Sequence, residues 1–480
     1  MSGSAPGPRD GPDAWVDRLR AGGLSAGAAD RVARSLSEAS RCLRARSGRS
    51  PEFAFFVPGR IEVFGKHTDY AGGRSLLAAT EWGFGFVGHG DPGGDGLHIY
   101  DAEGGRALHL PLRISPAHDV GGWGLYPSTV VRRLVQDFPD AAGGVSVAFV
   151  SDLPPASGMS SSSALVVGTF LALAAELDLG ERGPVAVDLG PALATAFPKD
   201  PDMGGASASR ERLATYLAGV EAGRPFHGAG GSRSLESNGL LRGVGTDGGS
   251  EDHAAILSAR PGQIVQYGFR PTRFEGATPL PPDWVFAVAS SGIRAEKAEG
   301  AKDVYNRLAE ETRAPARIWR EETGRAEPHL GAILGASPEA ADRMEDILLR
   351  GGHTRLLARF RQFATECSEL VPGAAAALAT GDLATLGDLA ARSQALAEEV
   401  LGNQVPETIH LVASARELGA PAASAFGAGF GGAVWALVPA GDVTRFLAAW
   451  RSDYVGRFPG REAGCAFLSS NAGPAAFRLA

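Results

Sequence analysis

The chain is short of cysteine, of long apolar runs and of basic excess, and each shortage removes a class of function. Its three cysteines, Cys42, Cys367 and Cys465, are widely separated and in no metal-ligand spacing. That pattern argues against a disulfide framework and leads us to expect a reducing, cytoplasmic compartment. No apolar run reaches the roughly 20 residues a bilayer demands; the most apolar stretch, Ala164–Leu177, is too short. The opening MSGSAPGPRDGPDAW lacks the apolar centre of a secretory signal, and residues 1–13 read as a disordered tail. With 46 basic and 54 acidic residues the net charge is −8, which leaves no footprint for nucleic acid or an anionic membrane. Internal repeats are absent as well.

What remains is an ordinary soluble composition, 44% hydrophobic and 21% charged, over 480 residues. That length exceeds what one core usually serves, so two domains are expected. Apolar residues at helical spacing (Trp15, Leu19, Leu24, Val32, Leu36) predict a leading helical segment over Ala14–Ala45. Phe53–Val57 and Ile61–Phe64 are short β-like runs around Pro58-Gly59. Val145–Val150 alternates as a strand does, Asp152–Ser163 is a Pro/Gly/Ser loop, and Ala164–Leu177 is a strongly apolar helix. Gly180–Ala208 and Gly223–Gly249 read as loops, the second with a Gly/Ser insertion at Gly228–Ser234. Pro279–Asp283 breaks the pattern before a strand at Trp284–Ala289, which sets domains of 14–280 and 281–480. The second half reads as mostly helical to Leu418, then a glycine turn at Gly427–Gly432 and a strand at Ala433–Val438.

The chemistry concentrates in three places. Between strand and helix, Gly158-Met159-Ser160-Ser161-Ser162-Ser163 lets successive backbone N–H groups turn inward as an anion-binding hollow. The following helix adds its positive end, and a serine hydroxyl could complete a Mg²⁺ shell. Four serines equally suit a plain helix cap. Gly59 to Gly73 gathers Arg60, Lys66, His67, Asp69 and Tyr70, a set able to bond several hydroxyls of one polyol or to decorate a polar hairpin. Thr246 to Ala255 sets Asp247, Glu251, Asp252 and His253 beside glycines, where a carboxylate serves as a base or caps the apolar run that follows. Two further patterns mislead. Gly59 to His67 has five residues between its glycines and no Ser/Thr, unlike a Walker A loop. Gly427-Ala-Gly429-Phe-Gly431-Gly432 spells a dinucleotide fingerprint but leads into a strand instead of a helix.

Together these pieces resemble the galactokinase branch of the GHMP kinases. Gly59-Arg60 through Tyr70-Ala71-Gly72-Gly73 is similar to the signature G-R-x-N-x-x-G-E-H-T-D-Y-N-x-G, and Pro154–Ala164 to P-x-x-x-G-L-S-S-S-A-A. Gly248–His253 resembles G-G-x-M-D-Q, and Gly427–Gly432 resembles G-G-G-F-G-G. Order and spacing hold from about Phe53 onward. The resemblance implies an α+β, two-domain GHMP kinase fold, with an N-terminal ribosomal S5 domain 2-like α/β domain and a C-terminal α+β domain. It implies an ATP- and Mg²⁺-dependent sugar 1-kinase, a monomer or weak homo-oligomer whose partner is a small sugar. By position, Asp252 would be the base and Arg60 its partner; Gly158, Met159, Ser160, Ser161 and Ser162 would hold the ATP phosphates. Ser162 and Glu221 would ligate Mg²⁺, and Lys66, His67, Asp69, Gly249 and Tyr305 would meet the sugar.

Three positions depart from the family: Glu62 stands for Asn, Lys66 for Glu and His253 for Gln. The family's Glu lies near the sugar's C6 hydroxyl, so Lys66 there would suit a C6 carboxylate, as in galacturonate. Lys66 could instead pair with Glu62 or another acid. Three readings follow: a hexose 1-kinase, a sugar-acid kinase, and a sensor without turnover.

Overall fold

The computed structural model describes residues 12–113, 115, 120–154, 158–177, 179, 204–226, 241–293 and 301–479. The Gly/Ser insertion Gly228–Ser234 and most of Gly180–Ala208 lie outside them, as does most of the 1–13 stretch.

Two sheets organise the chain. The first contains β1 (Phe53–Phe64), β2 (Arg74–Asp91), β3 (Gly96–Asp101), β4 (Arg106–Pro111), β5 (Gly144–Ser151), β6 (Gln263–Gly268) and β7 (Arg273–Pro279). The second contains β8 (Trp284–Ser290), β9 (Ala423–Phe426), β10 (Ala433–Pro439) and β11 (Ala466–Ser470), and the chain then returns to the first with β12 (Phe477–Arg478). Their orders are β12-β1-β2-β5-β3-β4, with the β6–β7 hairpin on β2, and β11-β8-β10-β9.

The two β-like runs around Pro58 form one strand. A register shift between Pro58 and Arg60 absorbs the residue that cannot donate to the ladder. Every residue of β1 is buried, because helices cover both faces. Ala26–Ser47 packs Val32, Leu36 and Leu43 against Phe56 and Val87. Ser161–Glu176 packs on the other face, where Gly168 lets the Phe86 ring approach: a Cβ there would lie 2.1 Å from it.

Several elements differ from the sequence expectation. The leading helix is two, Pro12–Ala21 and Ala26–Ser47, parted at Gly22-Gly23, where Gly23 has φ 103°. A helix at Gly204–Ala222 begins within the stretch read as a loop. β3, β4, the helix Leu125–Asp137 and the β6–β7 hairpin were not anticipated. The helical second half includes Ala301–Thr323, Thr354–Thr365, Val371–Thr380, Leu383–Leu396 and Pro406–Glu417. One apolar core runs through both sheets, joining Phe64, Leu76 and Phe86 to Phe286, Trp435 and Leu437. Among the described residues no helix is long and apolar enough to cross a membrane.

Candidate active site

β1 delivers Arg60 to the point where the serine loop, the helix Glu251–Ser258 and the glycine turn of the second sheet converge. Its Nε donates to Asp252 Oδ1 at 2.7 Å and its Nη1 to the Gly158 carbonyl at 2.6 Å. The Arg60 amide also donates to the Met159 carbonyl at 3.1 Å. Burial works against the Arg60 charge, but Asp252, Glu251 and Glu62 outweigh it and raise its pKa. Burial alone would raise the Asp252 carboxyl; the Arg60 guanidinium overrides it and holds Asp252 below the usual carboxylate range. The Asp252 side chain is nevertheless 31% exposed, against 5% for Arg60. An ionised, oriented and accessible carboxylate is what a general base requires. Asp252 lies in the first turn of its helix; the cap position belongs to Ser250.

The helix start holds an oxygen cluster. Ser163 Oγ donates to Glu221 Oε2 at 2.9 Å and lies 3.4 Å from Asp252 Oδ2. His253 Nε2 is 3.1 Å from the same Glu221 oxygen. The serine that meets Glu221 is therefore Ser163, one position beyond the expected Ser162, because 100° of helical rotation separates neighbours. Hard oxygen donors from Glu221, Ser163 and Asp252 suit Mg²⁺. The loop before them suits phosphate: Gly158 and Ser160 have φ of 73° and 58°, and the buried Ser160 hydroxyl sits beside the Asp252 carboxylate and helps to hold its pKa down. Gly158 also abuts the second glycine turn, since a Cβ on it would lie 3.3 Å from Gly432 Cα.

Asp69, His67, Gly249 and Tyr305 come together beside Asp252's helix. Asp69 Oδ2 accepts from the Glu251 amide at 3.2 Å and Oδ1 from the Tyr70 amide at 2.7 Å. A Cβ on Gly249 would lie 2.3 Å from Asp69 Oδ2, so only glycine permits that approach. The His67 and Tyr305 rings are 5.3 Å apart. Arg359 donates to the Tyr70 hydroxyl at 3.1 Å, and that hydroxyl lies 2.9 Å from His67 Nδ1. His67 Nε2 lies 3.2 Å from the Ala428 carbonyl and 3.1 Å from Asn403 Nδ2, which itself donates to that carbonyl at 3.2 Å. Burial, reinforced by Arg359, pushes the His67 pKa down to about 3, so the ring is neutral.

Lys66 departs from expectation. It is 2% exposed, and its ammonium donates to Ser393 Oγ and Ser424 Oγ, each at 2.8 Å. Ser393 in turn donates to Glu366 Oε1 at 2.6 Å. Burial lowers the Lys66 pKa, and Glu366 and Glu62 oppose the drop. A sealed ammonium with these partners does not present itself to a substrate carboxylate. Glu62, the companion departure, accepts from the Gly427 amide at 3.1 Å through Oε2. Sequence reasoning missed Ser163, Glu366, Arg359 and Asn403. Only Ser163 carried a local signal, as the fourth serine of its run; the others sit on distant segments with no motif.

Three family models match: the galactokinase galactose-binding signature over residues 43–87, the GHMP kinases N terminal domain over 126–191, and the GHMP kinases C terminal over 374–456. The chain thus carries the galactokinase signature and both GHMP kinase domains, and is similar along its length to the galactokinase-like GHMP kinases. Among curated relatives, a galactokinase of Actinobacillus pleuropneumoniae is 24% identical over 400 residues, 82% of this chain and 88% of that enzyme. A galactokinase of Canis lupus familiaris is 35% identical over 156 residues, which span 31% of this chain and 38% of that enzyme. The Lactococcus lactis galactokinase solved with galactose has the same fold at a TM-score of 0.69 and 21% identity, covering 92% of this chain and 99% of its own. The two-domain α+β GHMP kinase fold follows.

Proposed function

We propose that this galactokinase-like protein is an ATP-dependent sugar kinase that phosphorylates galactose or a close hexose at its anomeric hydroxyl. The observation that carries it is the Arg60–Asp252 pair, accessible on the carboxylate side and flanked by the Ser163–Glu221 oxygen cluster. Asp252 takes the proton of the attacking hydroxyl. Arg60 keeps Asp252 ionised and, anchored on the Gly158 carbonyl, fixes it relative to the phosphate loop. ATP, as its Mg²⁺ complex, supplies the γ-phosphoryl group, with Glu221 and the loop serines as the residues that would hold it. Asp69, His67, Gly249 and Tyr305 orient the sugar; neutral His67 does so as a hydrogen-bonding group and not as a charge.

The sugar-acid reading loses its support with Lys66 sealed among Ser393, Ser424 and Glu366. The sensor reading is disfavoured by a base that remains ionised and open. The wider reading includes a cytoplasmic location, supported by three free cysteines, a monomer or weak homo-oligomer, and a domain boundary near residue 280, supported by the change of sheet between Pro279 and Trp284. The test is sugar-dependent ADP release from purified protein with hexoses, pentoses and uronic acids. Turnover with galactose or an epimer is expected; no sugar-dependent release, or release only with uronic acids, overturns the proposal.

A further inference from the structure

The β3–β4 hairpin carries a feature the kinase reaction does not use. His98 and His109 are direct partners in the antiparallel register. Their neighbours Leu97, Ile99 and Leu110 are buried in the core, so the pleat turns both imidazoles to the outer face. The rings stack with centroids 4.2 Å apart and planes 15° from parallel. Asp95, just before β3, lies with Oδ1 3.1 Å from His109 Nε2, where it accepts the ring N–H. One donor atom from each of the three residues lies within 4.8 Å of the others. Arg113 approaches only the other Asp95 oxygen, at 4.0 Å.

We infer that Asp95, His98 and His109 form a binding site for a divalent transition-metal ion of the Zn²⁺ class. Two imidazoles and one carboxylate match zinc, nickel or copper and not magnesium. With bonds of about 2.0–2.2 Å, the donors draw together by rotation of the exposed side chains. The ion displaces the His109 Nε2–H···Oδ1 bond; that proton moves to Nδ1 by tautomer exchange, and water fills the fourth position. β4 is the edge strand of the first sheet, so the ion would clamp that edge to β3. The site shares no residue with the Glu221–Ser163–Asp252 cluster.

The test is calorimetric titration of ZnCl₂ into the chelator-treated full chain, in wild type, in His98→Asn with His109→Asn, and in Asp252→Asn. The histidine positions are half-exposed or exposed, and activity with Mg²⁺ reports that the variant is folded. One ion per chain is expected, weakened by about tenfold or more in the histidine variant, unchanged in Asp252→Asn, with Zn²⁺ raising Tm only where both histidines are present. Equal affinity in wild type and histidine variant, or no binding at about 100 µM Zn²⁺, contradicts the site. Binding lost in Asp252→Asn alone assigns the ion to the catalytic oxygen cluster and also overturns it. Failure here leaves the kinase assignment untouched, because the histidine variant's turnover is measured separately.

Discussion

Arg60 and Lys66 are two buried cations six residues apart, one on β1 and one just beyond its end, and they do opposite things. Arg60 is bonded to a carboxylate that still faces the solvent, so its charge acts on whatever Asp252 touches. Lys66 is bonded to two serines and backed by Glu366, so its charge is consumed inside the fold. Burial of a charge is therefore not a sign of catalysis by itself; what separates the two is whether the partner remains accessible.

The largest expected effect comes from breaking the open pair. Asp252→Asn should cut kcat by about 10³-fold or more with ATP affinity nearly unchanged, since shape is kept and proton acceptance is lost. Steady-state kinetics and nucleotide calorimetry check both halves. Breaking the closed pair should act on stability. Lys66→Met leaves Glu366 without its counter-charge and should cost about 3–5 kcal/mol in denaturant unfolding. If instead Lys66→Met changes galactose KM strongly at unaltered stability, Lys66 belongs with the sugar residues.

Two smaller effects sharpen the comparison. His67 has its pKa lowered to about 3 in the folded chain from about 6.5 in an unfolded one. The unfolded state then binds the extra proton, so this contribution is full above pH 6.5 and falls as pH drops toward 3. Between pH 6.5 and 5 the loss is about 2 kcal/mol, and it should be missing in His67→Asn. Ser163→Ala should weaken Mg²⁺ dependence by about tenfold, more than Ser162→Ala does; the reverse order would restore Ser162 as the ligand.

Much of the site was legible because its pieces are local. Small residues between a strand and a helix suit a phosphate loop, even though they suit a helix cap equally, and Arg60, His67 and Asp69 lie within one turn-bounded stretch. The Ser162/Ser163 choice was not legible, since it depends on where helix Ser161–Glu176 begins to turn. The direction of Lys66 was not legible either: Glu366, Ser393 and Ser424 reach it from three later elements, and no spacing rule links them. In the fold, Pro58 suggested a break where a bulge keeps β1 continuous, and Gly22-Gly23 divided a helix whose apolar spacing reads straight through.

The central claim is that Asp252, held by Arg60, draws the proton from an anomeric hydroxyl. Phosphorus NMR of the product made from ATP and galactose, by wild type and by Asp252→Asn, tests it most directly. The account predicts a sugar 1-phosphate from wild type and almost none from the variant. Phosphate on a different hydroxyl, or near-normal product from Asp252→Asn, would contradict it.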